Sequence, residues 1–233
     1  MVKAVAINGS PRADKGYTAM IMIPFIEGMN DAGADVETFY AKNVKIEPCT
    51  GEMHCWYEKP GECYIQDDMQ KVYPILKHAE ILILATPVYI PLPGEMQNIM
   101  NRLCPLVIPE LQTREGRTRA RFRDDVKLRK VVLVATGAWY EKENLSTVER
   151  IALEFAEDAS IEFAGAILRP HAFLMKQQGE LTKDGAKILE MVRQAGRELV
   201  ENGRIAKETL DLIARPLVGR EELLQRYNRA VKS

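Results

Sequence analysis

Between Glu47 and Met69 the chain reads EPCTGEMHCWYEKPGECYIQDDM, and this stretch holds three of its four cysteines. Thiolates spaced this closely can hold a metal ion or an iron–sulfur cluster, or exchange electrons as a redox pair. Cys49, Cys55 and Cys63 are the candidate sulfur donors, with Glu52 and His54 between them. A zinc site on the three cysteines and His54 is chemically open, although adjacent His54 and Cys55 are awkward partners on one tetrahedral ion. Cys104, in RLCPL at the end of a helical stretch, reads as a small buried hydrophobe. Four cysteines in 233 residues is far below the density of a disulfide scaffold, so the thiols are expected to be free, metal-bound or redox-active.

Three other loops carry groups suited to a ligand. NGSPRADKGYT (8–18) supplies the hydroxyls of Ser10, Tyr17 and Thr18, the guanidinium of Arg12 and the start of a helix. Free N–H groups and partial positive charge at a helix N-terminus seat a phosphate, and hydroxyls can complete the seat without a lysine. Neither the dinucleotide fingerprint G-x-G-x-x-G nor the phosphate loop G-x-x-x-x-G-K-[ST] is present. TPVYIPLPG (86–94) sets three prolines around Tyr89, a stiff edge for a flat ligand. TGAWYEKEN (136–144) places Thr136, Gly137 and Ala138 before Trp139 and Tyr140, so that small residues admit backbone amides and an aromatic covers a ring face. Each loop alone is equally an ordinary turn. Together they suit a mononucleotide with a large planar ring.

These loops fall where a doubly wound sheet would put them. VKAVAIN (2–8), ADVETFYA (34–41), EILILAT (80–86), KVVLVAT (130–136) and SIEFAGAILRP (160–170) read as strands, the inner ones apolar on both faces. Helical stretches at 17–33, 67–79, 94–104, 144–159 and 185–203 separate them, with Gly33 and Gly203 as helix stops. Pro24 is expected to kink the first helix or remove one of its hydrogen bonds. Strands joined by helices imply right-handed parallel crossovers in a three-layer α/β sandwich. Its ligands bind beyond the carboxyl ends of the strands. Residues 1–203 form this unit, and 204–233 add a helical extension within it. The segment 104–130 is too long for a helix-to-strand connection and rich in arginine, from Arg114 to Arg129. A seat for nucleotide phosphates is one reading; a solvated loop or oligomerisation arm is favoured.

A net charge of −1 with 28% charged residues gives no sign of a nucleic-acid or membrane partner. No segment has the run of roughly 20 apolar residues a membrane span needs, and a cytoplasmic location is expected. His78 and His171 are isolated and expected to be structural.

NGSPRADKGYTA after the first strand, ATPVYIPLPGEMQNIMNR after the third, and the Cys loop running into DDM resemble the flavodoxin-like NAD(P)H-dependent FMN reductases, especially their iron–sulfur flavoprotein branch. The resemblance covers most of residues 1–170. It implies a five-stranded sheet of order 2-1-3-4-5, FMN as cofactor, NAD(P)H or a ferredoxin-like protein as electron donor, and a small acceptor such as flavin, quinone or a metal ion. It also implies a homodimer or homotetramer. By that similarity Ser10, Arg12, Tyr17 and Thr18 hold the phosphate. Pro87, Val88, Tyr89 and Ile90 line the ribityl chain and ring, and Thr136, Gly137 and Ala138 meet the ring's polar edge. Departures are Tyr17 for a usual Asn, Gln97 for a Lys, and Asn101-Arg102 for Asp-Arg. No catalytic acid or base is implied, because the flavin itself carries the electrons. The branch's four-cysteine run maps onto Cys49, Glu52, Cys55 and Cys63. One thiolate is therefore a carboxylate, a hard and poor substitute. A cluster completed by Glu52, Cys104 or a small molecule stays open, but the favoured reading is a loop that has lost its cluster.

Overall fold

The computed structural model describes residues 1–232. Five parallel strands form the central sheet: β1 (Lys3–Asn8), β2 (Asp35–Tyr40), β3 (Ile81–Pro87), β6 (Lys130–Thr136) and β7 (Glu162–Arg169). Their spatial order is β2-β1-β3-β6-β7. Counted along the sheet-forming strands alone, this is the expected 2-1-3-4-5, with the direction of progression reversing between β1 and β3. Alternation along the inner strands fills two cores. Val5, Ile7, Leu82, Leu84, Val131 and Leu133 point to one face, where α3 (Met69–His78), α4 (Gly94–Asn101) and α5 (Ser146–Ala159) pack. Ala4, Ala6, Ile81, Ile83, Val132 and Val134 point to the other, under α1 (Tyr17–Asp31) and α6 (Lys183–Asn202).

The α1 and α6 backbones touch. A Cβ on Gly28 would stand 1.8 Å from the Arg193 carbonyl oxygen, and one on Gly196 2.1 Å from that of Phe25. Pro24 lies within α1 without ending it. Gly33 and Gly203 both take positive φ, +87° and +74°, at the stops the sequence marks.

The arginine-rich connection is not an unstructured loop. It forms an antiparallel ribbon of β4 (Val107–Arg114) and β5 (Arg117–Phe122) laid along α5. Arg119 reaches Asp158, Glu154 and Glu157 at 2.7, 2.8 and 2.7 Å, and Arg114 donates to the carbonyls of Ala120 and Glu157 at 2.7 and 2.8 Å. Beneath them Phe122 meets the edge of Phe155. Acidic side chains one turn apart on α5 thus absorb the charge that makes the segment look available.

After Gly203 the extension continues as α7 (Lys207–Ala214), which packs on β7 and α6, and α8 (Arg220–Lys232). Ser233 lies outside the described residues.

Candidate flavin site

At the carboxyl ends of β1, β3 and β6 the three loops meet around an open cleft of about 240 Å³. Larger hollows lie at residues 202–208 and beside Lys3, Asp35 and His78, the latter at the opposite, amino-terminal end of the strands. Neither collects the groups a phosphate-bearing ring needs.

One end of the cleft is the entry to α1. Ser10 is buried, its amide donates to Asn8 Oδ1 at 2.8 Å, and its Oγ accepts from the Arg12 amide at 3.3 Å. The chain then makes a 3-10 turn, Ala13–Lys15, and enters α1 from Gly16 with no side chain capping the helix. The first-turn amides therefore face the cleft with their hydrogen-bonding capacity free, the condition for anion binding. Gly16 is needed because a Cβ there would lie 2.7 Å from Ser10 Oγ. Arg12 is exposed, and among the described residues no carboxylate pairs with it. Thr18 Oγ1 is 2.9 Å from Thr136 Oγ1, both buried, so the helix entry is tied directly to the end of β6.

The walls come from the other two loops. The Val88 amide donates to the Thr136 carbonyl at 2.9 Å, and the Tyr89 amide to the Pro91 carbonyl at 2.8 Å across a cis Ile90–Pro91 bond. Gly137 does not offer its amide to a ligand. That N–H donates to the Arg169 carbonyl at 3.1 Å, and the Gly137 carbonyl accepts from Ala172 at 3.1 Å. The Ala138 amide has no intramolecular acceptor among the described residues and Ala138 lines the cleft, so it is a free donor for a ligand there. Tyr89, in the cleft wall, is 54% exposed, whereas Trp139, 65% exposed, is not among the residues that line the cleft.

Ten of the eleven residues assigned to FMN from the sequence line the cleft, Ser10, Arg12, Tyr17, Thr18, Pro87, Val88, Tyr89, Thr136, Gly137 and Ala138. Ile90 is not among them and is 98% exposed. Sequence reasoning missed Gly16, Ala172 and Phe173. The first was legible in KGYT as the residue before a helix. The other two reach the cleft only because the turn after β7 folds back on Gly137.

The cysteine loop is a separate, well-anchored excursion. Arg102, at the end of α4, donates to the Glu47 carbonyl at 2.9 Å, to Asp67 at 2.7 and 3.2 Å and to the Ile65 carbonyl at 3.4 Å. Inside the loop a short helix, α2 (His54–Tyr57), is pinned by Trp56 Nε1 donating to the Cys104 carbonyl at 2.9 Å. Cys104 is therefore not a remote core residue. It is half-buried under the loop, and burial together with the charges of Cys49, Cys63 and Glu52 raises its thiol pKa. Burial above all, then the charges of Cys104, Cys63, Glu52 and Cys49, pushes Cys55 up to about 11.

This donor set does not fit a four-thiolate cluster. Glu52 occupies the second ligand place, with its carboxylate bonded to Thr50. His54 Nδ1 is engaged with Glu58 at 2.9 Å. Among the described residues no three His, Cys, Asp or Glu side chains converge as metal ligands. Cys49 is exposed and Cys55 buried. With the native protein at pH 8, iodoacetamide is expected to modify Cys49 at least about tenfold faster than Cys55. Peptide mass spectrometry over a time course checks this.

Comparison with known proteins agrees with the fold. The profile described as NADPH-dependent FMN reductase matches residues 2–160. An iron–sulfur flavoprotein of Archaeoglobus fulgidus is 37% identical over 86 residues, 36% of this chain and 42% of its own length. Iron–sulfur flavoprotein MJ0731 of Methanocaldococcus jannaschii is 30% identical over 119 residues, 50% of this chain and 58% of its own. The chain thus spans about half the length of the curated relatives it matches. Among solved structures, an NAD(P)H:quinone oxidoreductase from Methanothermobacter marburgensis superimposes with TM-score 0.57 at 16% identity, over 85% of this chain and 98% of that one. A putative quinone reductase from Klebsiella pneumoniae gives 0.64 at 13% identity, over 85% of each. These two likenesses establish the flavodoxin-like fold. With the profile covering well over half its residues, the chain belongs to the NADPH-dependent FMN reductase family.

Proposed function

We propose that this protein is an FMN-dependent oxidoreductase that takes electrons from NAD(P)H and passes them to a small acceptor such as free flavin, a quinone or a metal ion. The observation that carries this reading is the cleft at the β1–β3 reversal, where an uncapped helix entry with Ser10 and Arg12 meets the 87–89 and 136–138 walls. Bound there, FMN would supply the hydride-accepting ring, and the protein's part is to hold and expose it. The α1 amides, Ser10 and Arg12 neutralise the phosphate. The Thr18–Thr136 bond fixes the distance between that seat and the 136–138 wall. Val88, locked to the Thr136 carbonyl, sets the width. Ala138 offers a hydrogen bond to the ring's polar edge. The partly exposed Tyr89 leaves one side of the cleft open to nicotinamide and acceptor. No side chain here needs to move a proton for the ring to be reduced.

Titrating the protein with FMN, then mixing it anaerobically with NADH or NADPH, tests the reading. Binding and bleaching of the flavin absorbance are expected, and failure to take up FMN removes the proposal. Arg12→Ala is expected to weaken FMN about tenfold, the size of a charge-assisted contact, and to leave riboflavin, which has no phosphate, unchanged. Fluorescence quenching by the two flavins separates these outcomes.

The alternative, electron transfer through an iron–sulfur cluster to a ferredoxin-like partner, is supported by the iron–sulfur flavoproteins among the relatives, although no three metal ligands converge among the described residues. Stoichiometric iron and acid-labile sulfide in anaerobically purified protein would replace the first reading with this one.

A further inference from the structure

The family profile ends at residue 160, yet part of the cleft wall lies beyond it, and one buried charge there has no counterpart in the site described so far. Arg169, the last residue of β7, is fully buried. Its Nε donates to the Pro170 carbonyl at 2.9 Å, and Nη1 to the carbonyls of Ile213 and Arg215 at 2.5 and 2.9 Å. Nη2 donates to His171 Nε2 at 3.0 Å. All these acceptors are uncharged. No carboxylate bonds it among the described residues, and the charged group that acts on it is another cation, Arg215. The carbonyls at the end of α7 carry the negative end of a short helix dipole and offset part of the charge. They do not cancel it. A buried ion without a counter-ion is costly, and structures retain one where an anion or a developing charge uses it.

The same residue joins two parts of the molecule. Its carbonyl holds the Gly137 amide, while its guanidinium holds the start of the C-terminal extension at Ile213 and Arg215. His171 extends the link. Its amide donates to the Trp139 carbonyl at 3.1 Å, and its Nε2 also accepts from the Leu217 amide at 3.2 Å. The proton is therefore assigned to Nδ1, which is buried without a hydrogen-bond partner among the described residues. Its ring stacks on Tyr140 with centroids 5.6 Å apart, and Arg220 of α8 lies 5.5 Å from the Tyr140 ring while pairing with Glu141 at 2.9 Å. Phe173, in the cleft wall, meets Tyr227 of α8 edge-on at 6.3 Å. These ties run from the extension to residues 140, 141 and 173 directly, and to 137 and 139 through Arg169 and His171.

We propose that the C-terminal extension is a working part of the flavin site, with Arg169 as the positioning residue that couples it to the 136–140 loop and places a positive charge behind the ring's polar edge. This rests on the FMN reading above. The charge favours the reduced, more negatively charged flavin over the oxidised one, and the fork to Ile213 and Arg215 keeps the loop in its binding position.

The test uses the full-length protein with FMN and reads three quantities: near-ultraviolet circular dichroism for folding, fluorescence quenching for affinity, and dye equilibration for the two-electron midpoint potential. Arg169→Met is expected to bind oxidised FMN about tenfold more weakly and reduced FMN about a further tenfold more weakly, as an interior charge at moderate range would give. For a two-electron couple that further tenfold is a potential about 30 mV lower. Arg169→Lys restores the potential, because the charge returns, but not the full affinity, because the fork does not. Tyr140→Leu, at a half-buried position outside the cleft, weakens FMN several-fold and leaves the potential unchanged. A folded Arg169→Met protein with wild-type affinity and potential overturns the inference while leaving FMN binding in place. Should Arg169→Met fail to fold, wild-type affinity in both Arg169→Lys and Tyr140→Leu overturns it. A wild-type protein that takes up no FMN removes this inference and the FMN reading together.

Discussion

Gly28→Ala is expected to lower the unfolding free energy by at least about 3 kcal/mol, among the larger effects any single methyl can have here. The added carbon would sit 1.8 Å from a backbone carbonyl, that of Arg193, and a backbone oxygen cannot rotate aside as a side chain would. The two helices must separate, and with them the core of Phe25, Met29, Val192, Ala195 and Leu199. Gly196→Ala meets the Phe25 carbonyl from the other side at 2.1 Å and is expected to cost a similar amount. Once one substitution has spread the helices, the second finds space already made. The double variant should therefore fall well short of the sum, as contacting sites do. Urea unfolding of the two single variants and the double variant measures this directly, and additive costs would show that the helices do not share one crossing point. Because the amino end of α1 is the proposed phosphate seat, the same variants should bind FMN more weakly in proportion to their displacement.

Arg102→Met should cost about 3–5 kcal/mol, the penalty for stranding one member of a buried ion pair. The side chains of Arg102 and Asp67 are 1% and 6% exposed. Substituting both, Arg102→Met with Asp67→Leu, should recover part of the loss, because no buried charge is then left unpaired. The pair also sets an acid limit. Burial pushes the Asp67 carboxyl up, but Arg102 and the amides of Glu47 and Met69 outweigh it and hold it below its ordinary value of 3.8. A carboxylate with a lowered folded pKa contributes stability that is fully present above the unfolded pKa. That contribution is lost as pH falls below 3.8 through the folded value. Hydrogen exchange distinguishes this lesion from a general weakening, since in Arg102→Met the amides of 48–66 should exchange well before those of β1, β3 and β6. Uniform acceleration across the chain would refute a local clamp.

The sheet was legible in the sequence because its inner strands are buried on both faces. EILILAT and KVVLVAT allow no other reading between two helical stretches. The phosphate end was legible for a related reason, as short-range turn chemistry places Ser10, Gly16 and Thr18 at a helix entry whatever the tertiary structure. The ribbon at 107–122 was not legible. Its outward strand residues are arginine and threonine, and what folds it down is acid on α5, 35 to 39 residues away in sequence. Gly137 lies on the wall the sequence marks, but the engagement of its amide is not legible there, because the acceptor, the Arg169 carbonyl, belongs to the next strand. Arg169 itself looked like the end of a strand before a proline. Two of its acceptors lie 44 and 46 residues later, and no local pattern announces a guanidinium that bonds three carbonyls and an imidazole but no carboxylate. Cys104 shows the same limit, since nothing in RLCPL says that Trp56 will draw the cysteine loop over it.

The closed neck formed by Arg102, Glu47, Ile65 and Asp67 also bears on how such a chain can change over generations. A segment secured at its base is partly insulated from the sheet, its inner ties being Trp56 to the Cys104 carbonyl and Arg123 to that of Cys55. Doubling its length would add only about 0.6 kcal/mol of closure cost. Ligand spacing, residue type and loop size inside the neck can therefore drift, be lost or be regained without disturbing the flavin cleft. Glu52 in a thiolate's place is the kind of exchange this insulation permits. The cysteine loop is a cassette, and a graft of a different metal-binding or thiol sequence between Glu47 and Ile65 should leave the host fold intact.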